Sequence, residues 1–375
     1  MQALRAGVLA FVESCRMSDH RYRYSRDCAR PTLYSSCYAA LTMSLSGALA
    51  DLPESERRAW ADYLNAHQDG DGLYRDPVIF GQGWYADDPL WCGRPHLTCH
   101  VIVALAALGA VAPRELALVA RYRSPRRLER WLSSLDFGAR VAWSGNEIMN
   151  VGTLLQYARD VHGDEQAGRA VVLLLDWLDG HHLDAATGVW GSLDVSDPLQ
   201  RSHAVQAAYH WWTLYCYDRR PIPHLHRALD TVLATRNPRG SFGWGVHNPG
   251  EPLSGSACED IDSIDPLARM SLMTDHRRAE VQDALRGAVR WVLSTRTADG
   301  GFAFLRGRPF EYGHPELSSG AGRGAMFPTW FRTLSLALAA QALPDDPIRR
   351  YPWRFVRCPG YQFAPDAAEE ADHGR

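Results

Sequence analysis

Lysine is missing from this chain: all 40 of its Lys and Arg residues are Arg. Without a primary side-chain amine, Schiff-base catalysis, covalent pyridoxal-phosphate attachment and a Walker-type phosphate loop are excluded. There is no Cys-x-x-Cys pair, and the eight cysteines (Cys15, Cys28, Cys37, Cys92, Cys99, Cys216, Cys258, Cys358) are scattered over 375 residues. That spread predicts buried, reduced thiols in a cytoplasmic protein rather than a disulfide scaffold. Apolar runs long enough for a signal peptide or a transmembrane segment are lacking. Charge of one sign is also scarce. A net charge of −3 gives no pull toward nucleic acid or an anionic membrane. No segment alternates with period two, so no sheet is expected. The glycines at 320–324 follow no strand, which leaves a dinucleotide loop unsupported.

What the chain does have is helical periodicity and aromatic bulk, with 13 Trp. Apolar helices are expected over 32–49, 95–110, 146–161, 198–216, 258–273 and 326–343. Polar, amphipathic ones are expected over 3–17, 55–68, 124–135, 165–178, 223–235 and 279–295. The two kinds alternate strictly. Self-similarity of this sort marks a repeat architecture, and helices apolar all round belong inside it. The expected fold is therefore all-α: a closed (α/α)6 toroid over residues 1–343, its N-terminal helix packing beside the last apolar one, then an irregular tail over 344–375 with a frayed acidic end. An open helical array is the alternative.

One stretch concentrates the ionisable groups. Glu259, Asp260, Asp262 and Asp265 fall within seven residues, beside Cys258 and between Ile261, Ile264 and Leu267. As a helix, it puts Cys258, Asp262 and Asp265 on one face. Crowding and burial of like charges raise carboxyl pKa values, a design for an acid catalyst or a cation site. Alternatively, Asp265 caps a helix that begins at Pro266, and the other acids lie on a solvated turn.

Polar groups also mark the starts of other apolar helices. His96 and His100 share a face beside Cys99 and could line a site or bind zinc, although no Glu of the HExxH kind lies between them. Asn146, Glu147 and Asn150 form an acid-and-amide cluster that needs partners if buried and is expected to face the lumen and bind substrate, a simple helix cap being the alternative. His203, Gln206 and His210 share one face of the fourth apolar helix. Tyr34 and Tyr38 on the first, with Phe327 and Trp330 on the sixth, complete an aromatic lumen able to stabilise a cation or stack on a sugar. Arg306, Arg308 and Arg323 are candidates for clamping an anion such as diphosphate, or are plain surface arginines.

A polar helix followed by a Gly-rich turn carrying an aromatic occurs at 63–74, 232–245 and 291–304, and more loosely at 177–191. This pattern resembles the repeats of the terpenoid cyclase and protein prenyltransferase superfamily. The resemblance spans most of residues 30–343 and speaks to the fold more than to the reaction. Gly supplies positive φ, and the aromatic folds back to plug the gap between helical pairs. In class II terpene cyclases, an Asp-x-Asp-Asp motif protonates the polyene through its middle acid. Asp260-Ile261-Asp262-Ser263 matches three of those four positions. The resemblance thus implies Asp262 as proton donor, tuned by Asp260, Glu259 and Asp265. Ser263 departs from the pattern. The Asp-x-Cys and His zinc ligands of prenyltransferases have no counterpart here.

The resulting expectation is an enzyme acting in the toroid lumen on a small, apolar, isoprenoid-like molecule by acid-initiated cyclisation. It requires no cofactor, or else a divalent cation. A carbohydrate-active enzyme using a pair such as Glu147 and Asp260 is the rival, and a prenyltransferase-like or non-catalytic scaffold is a third reading. The first calls for a deep aromatic pocket, the second for an open polar groove with exposed Trp.

Overall fold

A computed structural model describes residues 2–360. Its helices, in chain order, are α1 (Gln2–Ser14), α2 (Leu33–Leu45), α3 (Glu54–Asn65), α4 (Arg94–Leu108), α5 (Ala117–Tyr122) and α6 (Pro125–Leu132). They continue with α7 (Val141–His162), α8 (Glu165–Gly180), α9 (Pro198–Tyr217), α10 (Leu225–Leu233), α11 (Ala257–Met273), α12 (Arg278–Ser294) and α13 (Met326–Ala342). Six of them, α2, α4, α7, α9, α11 and α13, are buried on nearly every side. Each packs on the next, and α13 packs back on α2. The ring is closed, as the alternation of apolar and polar helices requires. The fold is an (α/α)6 toroid.

The outer layer fills the grooves between inner helices. α3 packs on α4, α8 on α7, α10 on α9 and α11, and α12 on α11 and α13. The polar helix expected at 124–135 is α6, shorter than expected, and a further short helix, α5, precedes it. α1 packs on α2, and its Phe11 lies under Gly301 and Gly324 beside the start of α13.

The Gly-aromatic turns recur as four like structures. Antiparallel bridges join Gln68 to Tyr74, Leu183 to Trp190, Arg236 to Phe242 and Arg296 to Phe302. Gly72, Gly188, Gly240 and Gly300 take φ between 70° and 95°, where a Cβ would cost energy. Tyr74, Trp190, Phe242 and Phe302 are fully buried plugs.

Two small antiparallel pairs interrupt the all-α pattern: β1 (Arg16–Ser18) with β2 (Arg21–Tyr22), and β3 (Phe310–Glu311) with β4 (Ser318–Ser319). They are too short for period two to show in the sequence.

Residues 344–360 hold one 3-10 turn, Pro347–Arg350, and are seated across the mouth formed by the inner-helix C-termini. Tyr351 Oη donates to the Ser46 carbonyl (2.6 Å), Arg354 N to that of Leu45 (3.1 Å), and Cys358 Sγ lies 3.8 Å from that of Ile102. The acidic end at 361–375 lies outside the described residues. All eight cysteines are buried free thiols. Among the described residues, no helix is long and apolar enough to cross a membrane.

Candidate functional site

The repeat sets a register at the start of four of the six inner helices, α2, α4, α11 and α13. The backbone N–H of a residue in the segment that precedes the helix donates to a side chain near the helix start. Tyr22 donates to Ser36 Oγ (3.3 Å), Tyr74 to Thr98 Oγ1 (3.0 Å), Phe242 to Asp260 Oδ1 (3.3 Å) and Phe302 to Thr329 Oγ1 (3.0 Å). That acceptor faces the outer layer. The residues two before and two after it are four apart, so they share the opposite face. These pairs are Tyr34 and Tyr38, His96 and His100, Cys258 and Asp262, and Phe327 and Phe331. Six of these eight side chains line one cavity of about 410 Å³ at the mouth formed by the inner-helix N-termini. Tyr34 and Tyr38 stand directly behind it, each edge-on to His100 at 5.4 Å.

On this register, the four acids of α11 separate. The helix starts at Ala257 on a capping box between Ser256 and Glu259, not at Pro266. Pro266 sits inside it and leaves the Asp262 carbonyl without its helical N–H donor. Asp260 points away from the cavity. Its Oδ2 accepts from Arg332 Nη1 (2.5 Å) and Trp291 Nε1 (2.9 Å). Arg332 is completed by the Ala303 and Phe304 carbonyls (3.0 and 3.1 Å). This is a fully satisfied ion pair buried between α11, α12 and α13. Asp265 pairs with Arg269 on the next turn, beside Tyr209 of α9. Glu259 Oε1 accepts from Gly245 N and Val246 N (3.1 and 3.0 Å), and Oε2 from Ser256 N (3.1 Å). Burial raises the Glu259 pKa, but His247 and these N–H groups outweigh it and hold the carboxyl below its usual range. Asp260, Glu259 and Asp265 were all expected in the lumen, and none lines it.

Asp262 does line it, at 3 % exposure. Among the described residues, it accepts no hydrogen bond and has no ion pair, and its Oδ2 is buried without a partner. Burial drives its carboxyl well above the ordinary range, and the charges of Glu259, Asp260 and Asp265 add to the effect. Its surroundings thus favour the protonated form.

Around it are imidazoles and rings. His96, His100, His203 and His210 line the cavity as expected. Burial depresses all four, His100 and His210 to about 4. His100 Nδ1 donates to the His96 carbonyl (2.9 Å) and His210 Nδ1 to that of Gln206 (2.6 Å). A carbonyl partner fixes the proton on Nδ1 and makes each Nε2 an acceptor. His96 Nδ1 is 2.7 Å from Tyr34 Oη. Asn146 and Gln206 also line the wall.

Three loops roof the cavity, and they supply the lining residues that periodicity missed. The 76–93 loop brings Trp84 and Trp91, the 243–256 loop Val246 and His247, and β3 Phe310, Glu311 and Tyr312. Trp143 enters from the first turn of α7, ahead of the start expected for that helix. Glu259 holds the 243–256 loop, and the other two meet at a seam where Trp84 N donates to the Gly313 carbonyl (3.2 Å). Gly313 has φ 73°, and a Cβ there would lie 2.4 Å from the Trp84 ring. Trp84 and Trp143 are 43 % and 37 % exposed at the entrance.

The remaining expected site residues do not line the cavity. Asn150 anchors a roof loop, its Nδ2 donating to the Leu90 carbonyl (2.7 Å). Glu147 is half-buried outside the lining. Trp330 stacks on Tyr38 at 5.3 Å in the layer beneath. Among the described residues, no group of three His, Cys, Asp or Glu side chains is placed to hold a metal ion, so the His96–His100 pair lacks further ligands for zinc.

No family model matches the chain, and no curated protein matches it in sequence. Solved structures do match. A glycosyl hydrolase family 88 protein from Bacteroides vulgatus is 13 % identical, with a TM-score of 0.51 over 90 % of this chain and 98 % of that one. A polysaccharide lyase is 11 % identical, with a TM-score of 0.50 over 89 % and 96 %. A type II terpene cyclase from Scytonema, solved with geranylgeranyl dihydroxybenzoate, is 15 % identical, with a TM-score of 0.49 over 91 % and 98 %. The similarity of the first two is one of fold, the (α/α)6 toroid.

Proposed function

We propose that this protein is an enzyme that cyclises a small, polyene-like substrate by protonating it inside the toroid, with Asp262 as the acid. One observation carries the reading. Of four buried carboxyls on α11, Asp262 alone is unpartnered, and it faces an aromatic-lined cavity. The proton leaves the Asp262 carboxyl for an alkene carbon. The alkene π electrons then close a ring carbon–carbon bond as the positive charge moves along the chain. Ring faces of Trp91, Phe327, Phe331 and Tyr312 stabilise that charge. A neutral imidazole removes a proton from the final cation, which gives an isomer of the substrate, and the imidazolium returns its proton through water to the Asp262 carboxylate. A base with a pKa near 4 suffices, because a carbon next to a cationic centre is far more acidic. Asp260, Glu259 and Asp265 act through charge, keeping Asp262 protonated until it reacts. Ser263, where the Asp-x-Asp-Asp pattern has its last acid, faces outward and meets Thr235 Oγ1 at 3.1 Å. An acid at that position would not reach the cavity.

In D₂O, a polyprenyl alcohol or its terminal epoxide is expected to give a cyclic product. The alkene-initiated product carries one deuterium at the protonated carbon. Asp262→Asn is expected to lower turnover roughly a thousandfold or more with the circular dichroism spectrum unchanged. Full activity in that variant would remove the mechanism.

The carbohydrate-active reading keeps one favourable observation, the exposed Trp84 and Trp143 at the entrance. Its carboxyl pair would be Asp262 and Glu311, not Glu147 and Asp260. It requires oligosaccharide cleavage that both Asp262→Asn and Glu311→Gln abolish.

A further inference from the structure

The cavity lining has amides, imidazoles, aromatic rings and two carboxyl groups, but no arginine. With no lysine in the chain, no permanent cation faces the substrate. The arginines considered for a diphosphate clamp do not converge. Arg306 lies over Trp291 on the outer wall, Arg308 pairs with Glu251, and Arg323 is 4.0 Å from Asp27. Arg140 lies over the Trp143 ring at 5.9 Å and is itself outside the cavity. Burial depresses four of the five lining imidazoles, and the fifth, His247, lies 3.9 Å from Glu259 Oε2. At the entrance, Glu311 on β3 is exposed and has no ion-pair partner among the described residues.

We infer that the substrate bears an uncharged, hydrogen-bond-donating head, an alcohol or a phenol and not a diphosphate, and that Glu311 at the cavity mouth selects for it. The inference takes the polyene chain from the proposed function and the head from the lining alone. A diphosphate seated here would lose its hydration with no arginine or lysine in the lining to replace it and would lie against Glu311. An alcohol or phenol donates to Glu311 and is satisfied by the amides of Asn146 and Gln206. Glu311 is then a specificity residue and has no part in moving the proton.

The test is equilibrium binding by calorimetry to the full chain carrying Asp262→Asn, so that neither ligand is consumed. The probes are a polyprenyl alcohol and the diphosphate of the same chain. The alcohol is expected to bind about 100-fold more tightly, since like charges brought together across a binding surface cost several powers of ten at most. Glu311→Gln is expected to narrow the gap about tenfold by improving diphosphate binding. Equal or tighter binding of the diphosphate overturns the inference, and an unchanged ratio in Glu311→Gln overturns the role of that residue. If diphosphate affinity is lost in Arg140→Gln, a clamp exists and the inference also fails. Turnover by the wild type separates the two claims. An alcohol that binds but is never cyclised sinks the cyclisation reading and leaves the head-group choice intact, while a cyclised diphosphate does the reverse. Binding of neither ligand sinks both.

Discussion

Asp260 and Asp262 lie two residues apart on one helix, both buried, with opposite fates. Asp260 occupies the place that Ser36, Thr98 and Thr329 hold in other repeats, where it accepts the N–H of a plugging aromatic. It adds a guanidinium and an indole N–H, so its charge is fully compensated. Asp262 faces the other way, and no described residue donates to it. Burial alone therefore does not mark a functional acid. What distinguishes the two is the presence or absence of a partner, because an unpaired buried carboxyl costs stability that the fold alone gives no reason to retain.

The contrast breaks most sharply at the ion pair. Asp260→Asn or Arg332→Met alone leaves a buried group uncompensated and is expected to cost roughly 3–5 kcal/mol. The double variant, which removes both charges, is expected to recover much of that loss. Urea denaturation midpoints measure both. Single variants no worse than surface substitutions would mean that Asp260 is not the structural member of the pair.

Glu259 comes next in size. Glu259→Gln turns an acceptor oxygen near Ser256 N into a donor and weakens the grip on the 243–256 loop, at an expected cost of about 1–3 kcal/mol. Because that loop carries Val246 and His247 to the cavity, KM is expected to rise more than kcat falls. A fall in kcat alone, with stability unchanged, would move Glu259 from holding the loop to taking part in the chemistry.

The ring was legible because an inner helix of a toroid has no solvent face, and alternation with amphipathic helices is visible in residue type alone. The same property hid the lumen. On α4, α9 and α13, apolar residues point everywhere, so periodicity does not tell the inward face from the faces on neighbouring helices. Tyr34, Tyr38 and Trp330 were expected in the cavity for that reason and lie one layer behind it. The turn register carried part of the missing signal: positions two residues either side of Thr98, Asp260 and Thr329 are His96, His100, Cys258, Asp262, Phe327 and Phe331, all in the lining, whereas the same rule at Ser36 gives Tyr34 and Tyr38, which are not. The roof was not legible by either route. Trp84, Trp91, His247 and Tyr312 come from irregular loops that long-range contacts bring together, such as that of Trp84 N with the Gly313 carbonyl.

The smallest expected effect is also the most direct on the central contrast. A carboxyl whose pKa is raised in the folded chain binds its proton more tightly there than when unfolded. Above about pH 4, the unfolded chain releases the Asp262 proton and the folded one keeps it. Stability is therefore lost as pH rises from that point toward the raised pKa of the folded state. Asn at position 262 has no proton to lose. Asp262→Asn is thus expected to raise Tm relative to wild type at pH 7, with the difference shrinking as pH is lowered and vanishing near pH 4. The other raised carboxyls, Asp260 and Asp265, are present in both proteins and so largely cancel from the comparison. Thermal melts at several pH values measure the gap. An Asn variant less stable than wild type at pH 7, with a gap that closes only as the pH is lowered, would mean that Asp262 is ionised and paired in solution, and the distinction between it and Asp260 would disappear.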